Sequence, residues 1–136
     1  MDKKVVLDTS VLIKWFIQED DSNEALKLLE EIKSGTVRLV LPQVVLLELI
    51  NALFWGNKYA EEGILKAISD LNDLHPEIVI FDFQLAKEVV RNVVGFKIAT
   101  YDALFLALAQ QKQIPLITAD RKHHLREYSP LVRYLS

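Results

Sequence analysis

Four acidic residues stand where the sequence predicts the carboxyl edge of a parallel sheet: Asp8, Glu48, Asp102 and Asp120. The first directly follows the apolar run 5–7, and the last follows the run 115–119. Ligands of open α/β sheets bind in the crevice beyond the carboxyl ends of the strands. Carboxylates gathered there repel one another and lose hydration unless they are protonated or bind a cation. The four residues therefore predict a site for a hard divalent metal such as Mg²⁺ or Mn²⁺.

Each carboxylate also has an ordinary structural explanation. Asp8 and Asp102 are each placed to cap a helix, and Asp120 is placed to accept a backbone hydrogen bond in an Asx-turn. Glu48 resists such an explanation, because it interrupts the apolar run 44–50, whose pattern predicts a helix buried on most faces. A carboxylate buried there needs a partner, which is either a Lys or Arg from elsewhere in the chain or a metal ion.

Small polar residues next to the carboxylates are candidates for orienting them. Ser10 lies two positions after the first aspartate, and Thr118 lies two positions before the last one. Asn51 lies three residues after the glutamate, on nearly the same face of the predicted helix. Their hydroxyl and amide groups are predicted to hold a carboxylate or a bound water in place.

Positive charge is concentrated in the second part of the chain, although the net charge is −3. Residues 1–85 carry 8 Lys or Arg and 15 Asp or Glu, a balance of −7, whereas residues 86–136 carry 8 and 4, a balance of +4. The best candidate for a patch that contacts phosphate groups follows the last aspartate and consists of Arg121, Lys122 and Arg126. The alternative is an ordinary solvated face.

The roles of the histidine pair and of two aromatic pairs stay open in the sequence. His123 and His124 are predicted to lie at the surface or to contact substrate, because adjacent residues diverge and rarely serve one site. Core packing and exposure for a partner protein are both possible for the aromatic pairs at predicted helix ends, Trp15 with Phe16 and Phe54 with Trp55.

Composition and element order predict one α/β domain spanning residues 1–136. The hydrophobic fraction of 51% with 26% charged residues is typical of a globular protein, and strand and helix signals alternate along the chain. Strands are predicted at 4–8, 38–41, 78–81, 115–118 and 131–134. Helices are predicted at 11–17, 21–35, 43–55, 60–74, 84–94 and 102–113. Helical crossovers between strands predict a parallel sheet.

Local signals support several of these helix boundaries. Asp21 and Glu24 have the spacing of a capping box, and Gly35 supplies the stop for the same helix. Gly95 is predicted to end the helix at 84–94.

The sequence favours a cytoplasmic protein without a membrane segment. The first residues lack the apolar core of a signal peptide, and the apolar stretch 44–55 is too short to span a bilayer. With no cysteine in the chain, disulfides and thiolate metal sites are excluded.

Taken together, the segments around the four carboxylates resemble the PIN domain and, within that family, the VapC-type toxins of prokaryotic toxin-antitoxin systems. The resemblance covers nearly the whole chain, and four motifs in this order are specific where any single one is not. The matching segments are Val-Val-Leu-Asp-Thr-Ser at 5–10 with its continuation to 16, Leu-Pro at 41–42 leading to Glu-Leu-Ile-Asn at 48–51, Tyr-Asp-Ala-Leu-Phe-Leu-Ala-Leu-Ala at 101–109 and Pro-Leu-Ile-Thr-Ala-Asp-Arg-Lys at 115–122.

This resemblance implies a three-layer PIN-like fold, with a central parallel sheet of four to five strands flanked by helices. It implies a Mg²⁺- or Mn²⁺-dependent endoribonuclease in which Asp8 and Asp102 are the principal ligands, while Glu48 and Asp120 hold a second ion or metal-bound waters. Ser10 and Thr118 would orient these carboxylates. With water as the nucleophile, the products would carry 5′-phosphate and 3′-hydroxyl ends.

The same resemblance implies a homodimer and an antitoxin protein that inserts a segment near the acidic pocket. Two other functions remain open. One is a non-catalytic PIN-like module that binds RNA or protein. The other is a phosphotransferase that uses Asp8 as its nucleophile, although one such family requires a second aspartate where Ser10 stands.

Overall fold

The computed structural model describes residues 3–19 and 22–135. Its centre is a five-stranded sheet in which every pairing is parallel and the strand order is β3-β2-β1-β4-β5. This confirms the predicted α/β class and the parallel sheet, at the upper end of four to five strands. The strands are β1 (Lys3–Leu7), β2 (Val37–Pro42), β3 (Glu77–Val79), β4 (Leu116–Thr118) and β5 (Val132–Tyr134).

Helices connect the strands and flank the sheet, which gives the three layers expected of the fold. The α-helices are α1 (Thr9–Leu12), α2 (Ser22–Lys33), α3 (Val45–Asn51), α4 (Glu61–Asn72), α5 (Phe83–Phe96) and α6 (Thr100–Lys112). A 3₁₀ turn, Ile13–Trp15, extends α1, another lies at Leu125–Glu127, and a π-helical turn, Ala52–Gly56, extends α3.

The buried core runs along the central strand and the last long helix. Val6 of β1 pairs with β2 on one side and with β4 on the other, and it is fully buried. Residues 103–109 of α6 are all buried, and α6 contacts β1, β2 and β4. Because α6 leads directly into β4, the N-terminal end of α6 lies towards the carboxyl edge of the sheet. This packing places Asp102 at the edge where β1 ends.

Several helix boundaries differ from those predicted. The helix expected over 11–17 is a four-residue α1 followed by a 3₁₀ turn. Helix α5 continues through Gly95 and ends at Phe96, and its cap Lys97 has a left-handed backbone with φ of 60°. Gly35 does end α2, with φ of 84°, as its freedom from side-chain clashes allows. The capping residue predicted for α2, Asp21, lies outside the described residues.

The prediction that the helix carrying Glu48 is buried on most faces is wrong. Leu47 is 69% exposed, and Phe54 and Trp55 in the π-helical turn are 48% and 74% exposed. The opposite face, with Leu49 and other residues, packs into the core. An all-round apolar pattern indicates burial only if some element covers each face, and within residues 3–19 and 22–135 nothing covers this one.

One of the two aromatic pairs packs in the core, and the other is exposed. Trp15 and Phe16 are half-buried and pack against the core, and the Trp15 Nε1–H donates to the Ala25 carbonyl at 2.7 Å. Phe54 and Trp55 are exposed and pack edge to face on each other, with ring centroids 4.8 Å apart. Trp15 and Phe16 therefore contribute to the core, and Phe54 and Trp55 form part of the surface.

No single helix in the described ranges combines the length and the apolar composition needed to cross a membrane. Helices α5 and α6 meet that test only as a pair, with a bend of 117° between them.

Candidate metal centre

Asp8 ends β1 inside a small cage of hydroxyl groups. Its side chain is only 6% exposed, and Ser10 Oγ donates to its Oδ1 at 2.5 Å. Ser10 Oγ in turn accepts from the Ala119 N–H at 3.0 Å and lies 3.4 Å from Thr118 Oγ1. The helix after Asp8 is capped by its main-chain carbonyl and not by its carboxylate. The Val11 N–H at the start of α1 nevertheless lowers the pKa of the Asp8 carboxyl.

Burial shifts the pKa of Asp8 strongly. Loss of hydration raises it to about 6, because the buried charged form is poorly solvated, although hydrogen bonding to Ser10 and Thr118 opposes the shift. The charge of Asp102 raises it further. A carboxylate in this state gains free energy by binding a cation.

Glu48 projects from α3 towards the start of α1. Thr9 Oγ1 donates a hydrogen bond to Glu48 Oε1. Burial raises the pKa of Glu48, the Thr9 hydroxyl opposes the shift, and the charge of Asp102 adds to it. Among the described residues, no Lys or Arg nitrogen lies within 4.0 Å of this carboxylate. A basic partner therefore does not account for its half-buried position.

Asp102 lies in the first turn of α6, and its side chain does not cap that helix. Burial raises the pKa of Asp102, nearby His123 lowers it, and the charge of Asp120 raises it. The charge of Asp102 also raises the pKa of Asp8 and the pKa of Glu48. Asp102 therefore interacts electrostatically with all three of the other carboxylates.

Asp120 forms the Asx-turn predicted for it, and its second carboxylate oxygen faces His123. Its Oδ1 accepts from the Lys122 N–H at 2.8 Å, which is an Asx-turn, and its own N–H donates to Thr118 Oγ1 at 3.0 Å. The other oxygen, Oδ2, lies 2.5 Å from His123 Nδ1. Partial burial raises the pKa of Asp120, but the bonds from His123 and the Lys122 N–H outweigh it and hold the pKa below its usual value.

These residues form two groups that differ in depth. We call the first the inner group and define it as Asp8, Thr9, Ser10, Glu48 and Thr118. We call the second the outer group and define it as Asp102, Asp120 and His123. One ligand atom from each member of the outer group lies within 4.8 Å of the other two.

His123 is the site residue whose position the sequence did not reveal. It was predicted to lie at the surface or to contact substrate, and its side chain is 60% exposed. It nevertheless faces two carboxylates, at 2.5 Å from Asp120 and 4.0 Å from Asp102. The available signal was its spacing of three residues from Asp120, because the intervening turn folds the ring back onto that carboxylate.

Asn51, predicted to orient Glu48, faces away from that carboxylate. Asn51 is exposed and lines an outward-facing groove with Leu47 and Trp55, and no described contact joins it to Glu48. Three residues of helix turn the side chain by about 60°, which is enough here to move it off the face of Glu48.

The candidate RNA-binding residues are all exposed, but the side chain of Arg121 contacts the end of the chain around β5. Arg121 lies 4.5 Å from the ring centroid of Tyr134 and donates to the Leu135 carbonyl at 3.4 Å, so it holds the β5 end of the chain. Lys122 and Arg126 make no described side-chain contact. They are the freer candidates for phosphate contacts.

The donor set fits a hard divalent metal. Asp8, Glu48 and Asp102 each have a raised pKa, and within the described ranges none of them forms an ion pair with Lys or Arg. Carboxylate oxygens are the ligands that Mg²⁺ and Mn²⁺ prefer. Among the described residues, Asp8 and Glu48 have no basic partner and Asp102 has only His123, at 4.0 Å, so a bound cation would offset their negative charge.

Comparison with known proteins agrees with the fold. The model of the PIN domain family matches residues 5–128. Among curated proteins, none matches the chain.

Several solved structures have a similar fold. A toxin-antitoxin complex from Klebsiella pneumoniae is 22% identical, with a TM-score of 0.72 and 95% of each chain covered. VapBC2 from Rickettsia felis, bound to a DNA fragment from its promoter, is 16% identical, with a TM-score of 0.72 and coverage of 98% of this chain and 99% of that one. VapC20 from Mycobacterium tuberculosis, a toxin that cleaves the sarcin-ricin loop, is 15% identical, with a TM-score of 0.71 and coverage of 89% and 93%.

Proposed function

The chain belongs to the PIN domain family, and from this premise we propose that it is a metal-dependent endoribonuclease and the toxin of a toxin-antitoxin pair. One observation carries the proposal. Asp8 is almost fully buried at the carboxyl edge of the sheet, feels the charge of Asp102, and has no basic partner among the described residues. An ionised carboxylate in this position would gain free energy from a bound cation.

Asp8 and Asp102 would hold the principal ion, while Glu48 and Asp120 would hold a second ion or orient its waters. A bound Mg²⁺ or Mn²⁺ would supply Lewis acidity, which lowers the pKa of water and neutralises charge on the phosphate. Ser10 keeps the Asp8 carboxylate in one orientation by donating to its Oδ1, and Thr9 does the same for Glu48.

Substrate binding would use the basic residues beside the outer group. Lys122 and Arg126 are exposed and have free side chains, so they are suited to contact phosphates of single-stranded or looped RNA. Hydrolysis by water would leave 5′-phosphate and 3′-hydroxyl ends. The sarcin-ricin loop named for VapC20 is one candidate for such a substrate.

The proposal includes an antitoxin partner, a homodimer and a cytoplasmic location. The Klebsiella and Rickettsia assemblies support the antitoxin, since both are toxin-antitoxin systems of the same fold. The exposed apolar side chains of Leu47, Phe54 and Trp55 support a protein partner, because apolar patches of this kind mark interaction surfaces.

The test is cleavage of a pool of structured RNAs by the purified chain with Mn²⁺ or Mg²⁺. We expect cleavage that EDTA abolishes and that Asp8→Asn and Asp102→Asn each reduce by at least about 10²-fold. The matched control is Asp70→Asn, which also removes one negative charge. Asp70 lies on α4 in an exposed ion pair with Lys66 at 2.9 Å and should leave cleavage unchanged.

Cleavage that survives both EDTA and the two site substitutions would refute metal-dependent catalysis. If the RNA binds without cleavage under every condition, the non-catalytic module would replace the proposed enzyme. Toxicity on expression in bacteria, relieved by Asp8→Asn and by a neighbouring small gene, would distinguish a toxin from a housekeeping nuclease.

A further inference from the structure

The outer group contains a nitrogen donor in addition to its two carboxylates. His123 Nδ1 lies 2.5 Å from Asp120 Oδ2 and 4.0 Å from Asp102 Oδ2. These are carboxylates from two different elements, the first turn of α6 and the turn after β4. The ring therefore occupies the space between them and is not simply paired with its sequence neighbour.

The three donor atoms lie close to one another. Ligand atoms about 2.1 Å from an octahedral ion are about 3 to 4 Å apart. The distance from Nδ1 to Asp120 Oδ2, 2.5 Å, is shorter than this spacing, the distance to Asp102 Oδ2, 4.0 Å, lies at its upper end, and all three candidate atoms lie within 4.8 Å of one another. Small side-chain rotations would bring the three atoms to one ion, because the His123 ring is exposed and not packed.

Competing partners for these atoms are few. Asp102 accepts no side-chain hydrogen bond from any described residue, and the oxygen of Asp120 nearest the ring is separate from the one that accepts the Lys122 N–H. Of the described basic residues, only His123 places a side-chain nitrogen within 4.0 Å of either carboxylate.

We propose that His123 Nδ1 is a direct ligand of the second ion, which Asp102 and Asp120 would share, and that this nitrogen makes the site prefer Mn²⁺ to Mg²⁺. The inference rests on the proposed function, since it concerns the metal of the same site. Mg²⁺ demands oxygen ligands and keeps its waters, whereas first-row transition ions accept imidazole readily. One imidazole among carboxylates therefore changes which ion binds best.

The neighbouring histidine provides a matched control. His124 is exposed to a similar extent, 65% for its side chain, but its ring faces Glu127 at 4.0 Å and not the carboxylates. Its backbone is left-handed, with φ of 52°, so His124→Asn is the substitution that keeps the turn relaxed. For His123, which has no such constraint, His123→Ala removes the ring.

The experiment measures the ligands of bound Mn²⁺ directly. Pulsed electron paramagnetic resonance of Mn²⁺ on the full chain should show coupling to ¹⁴N in the wild type and in His124→Asn, and no such coupling in His123→Ala. Growth with ¹⁵N-histidine should replace the ¹⁴N signal in the unsubstituted protein, so the result does not depend on how any variant folds.

Calorimetric titration tests the preference between the two ions. We expect His123→Ala to weaken Mn²⁺ binding by on the order of tenfold and Mg²⁺ binding by less than about threefold. His124→Asn should change neither affinity.

The outcomes separate this inference from the proposed function. Mn²⁺ that binds the wild type without nitrogen coupling would overturn His123 as a ligand and leave the carboxylate site standing. Equal weakening of both ions in His123→Ala would overturn the preference. If neither ion binds the wild type and EDTA does not affect RNA cleavage, the proposed function and the inference both fail.

Discussion

The inner and outer groups meet at one edge of the sheet but satisfy their charges differently. In the inner group, Asp8 and Glu48 are buried or half-buried, and the side-chain hydrogen bonds that they receive from described residues come from the hydroxyl groups of Ser10, Thr118 and Thr9. In the outer group, Asp120 is more exposed and faces an imidazole that can itself carry positive charge. Hydroxyls orient a carboxylate without neutralising it. The inner group is therefore the part of the molecule that most needs a cation.

The difference also shows in the direction of the pKa shifts. Burial raises the pKa of Asp8 to about 6, whereas hydrogen bonds that include His123 lower the pKa of Asp120 despite its partial burial. For His123, the bond to Asp120 and the charges of both aspartates raise the pKa of the ring. Asp102 and Asp120 have similar side-chain exposure, 21% and 24%, but only the pKa of Asp102 is raised, so hydrogen bonds from His123 and the backbone, and not depth alone, decide the direction of the shift.

The largest expected effect concerns Asp8 and the pH dependence of stability without metal. The pKa of Asp8 is 3.8 in the reference state and about 6 in the fold, so between these values the folded protein binds more protons than the unfolded chain. The free energy of unfolding therefore falls as pH rises from about 4 to 6, by about 3 kcal/mol, and stays lower above that range. Asp8→Asn should remove this decline.

Urea unfolding in EDTA at a series of pH values measures this effect. Asp70→Asn is the control, because it removes an exposed carboxylate and should leave the decline intact. Identical profiles for the wild type and Asp8→Asn would show that the inner group is no more costly than the outer group.

A smaller effect is expected when the hydroxyl that orients Asp8 is removed. Ser10→Ala leaves the Ala119 N–H and one Asp8 oxygen without their partner, which should cost about 2 kcal/mol. Ser34→Ala is matched in chemistry but removes an exposed hydroxyl, so it should cost less than about 0.5 kcal/mol. Denaturation at pH 7 compares the two, and equal losses would contradict a structural role for the hydroxyl cage.

The smallest effect is expected beside the outer group, where solvent screens each charge. Lys122→Ala should weaken RNA binding and reduce the slope of log K against log salt by about 0.7, the value for one phosphate contact with a single strand. Lys87→Ala, an exposed lysine on α5, should leave the slope unchanged. Filter binding in an Asp102→Asn background measures both, and equal slopes would exclude Lys122 from the RNA contact.

Much of the fold was predictable because its signals are local. The runs before Asp8 and Asp120 gave the ends of β1 and β4, and Gly35 gave the end of α2. Gly95 misled, since a glycine permits a helix to end but does not force it, and α5 ends one residue later at Phe96, with Lys97 as its cap. The exposed face of α3 was also missed, because periodicity reports how apolar a face is and not whether another element covers it.

The sequence by itself determined the residue types of the site, their order and the strand ends that deliver Asp8 and Asp120 to one edge. Parallel strands joined by helical crossovers all end at the same edge of the sheet, so residues that follow them lie at that edge. Only the tertiary structure decided that Thr9 and not Asn51 contacts Glu48, that Arg121 is held by Tyr134, and that His123 joins Asp102 and Asp120. These contacts depend on side-chain directions between elements far apart in the chain, which spacing along one segment does not encode.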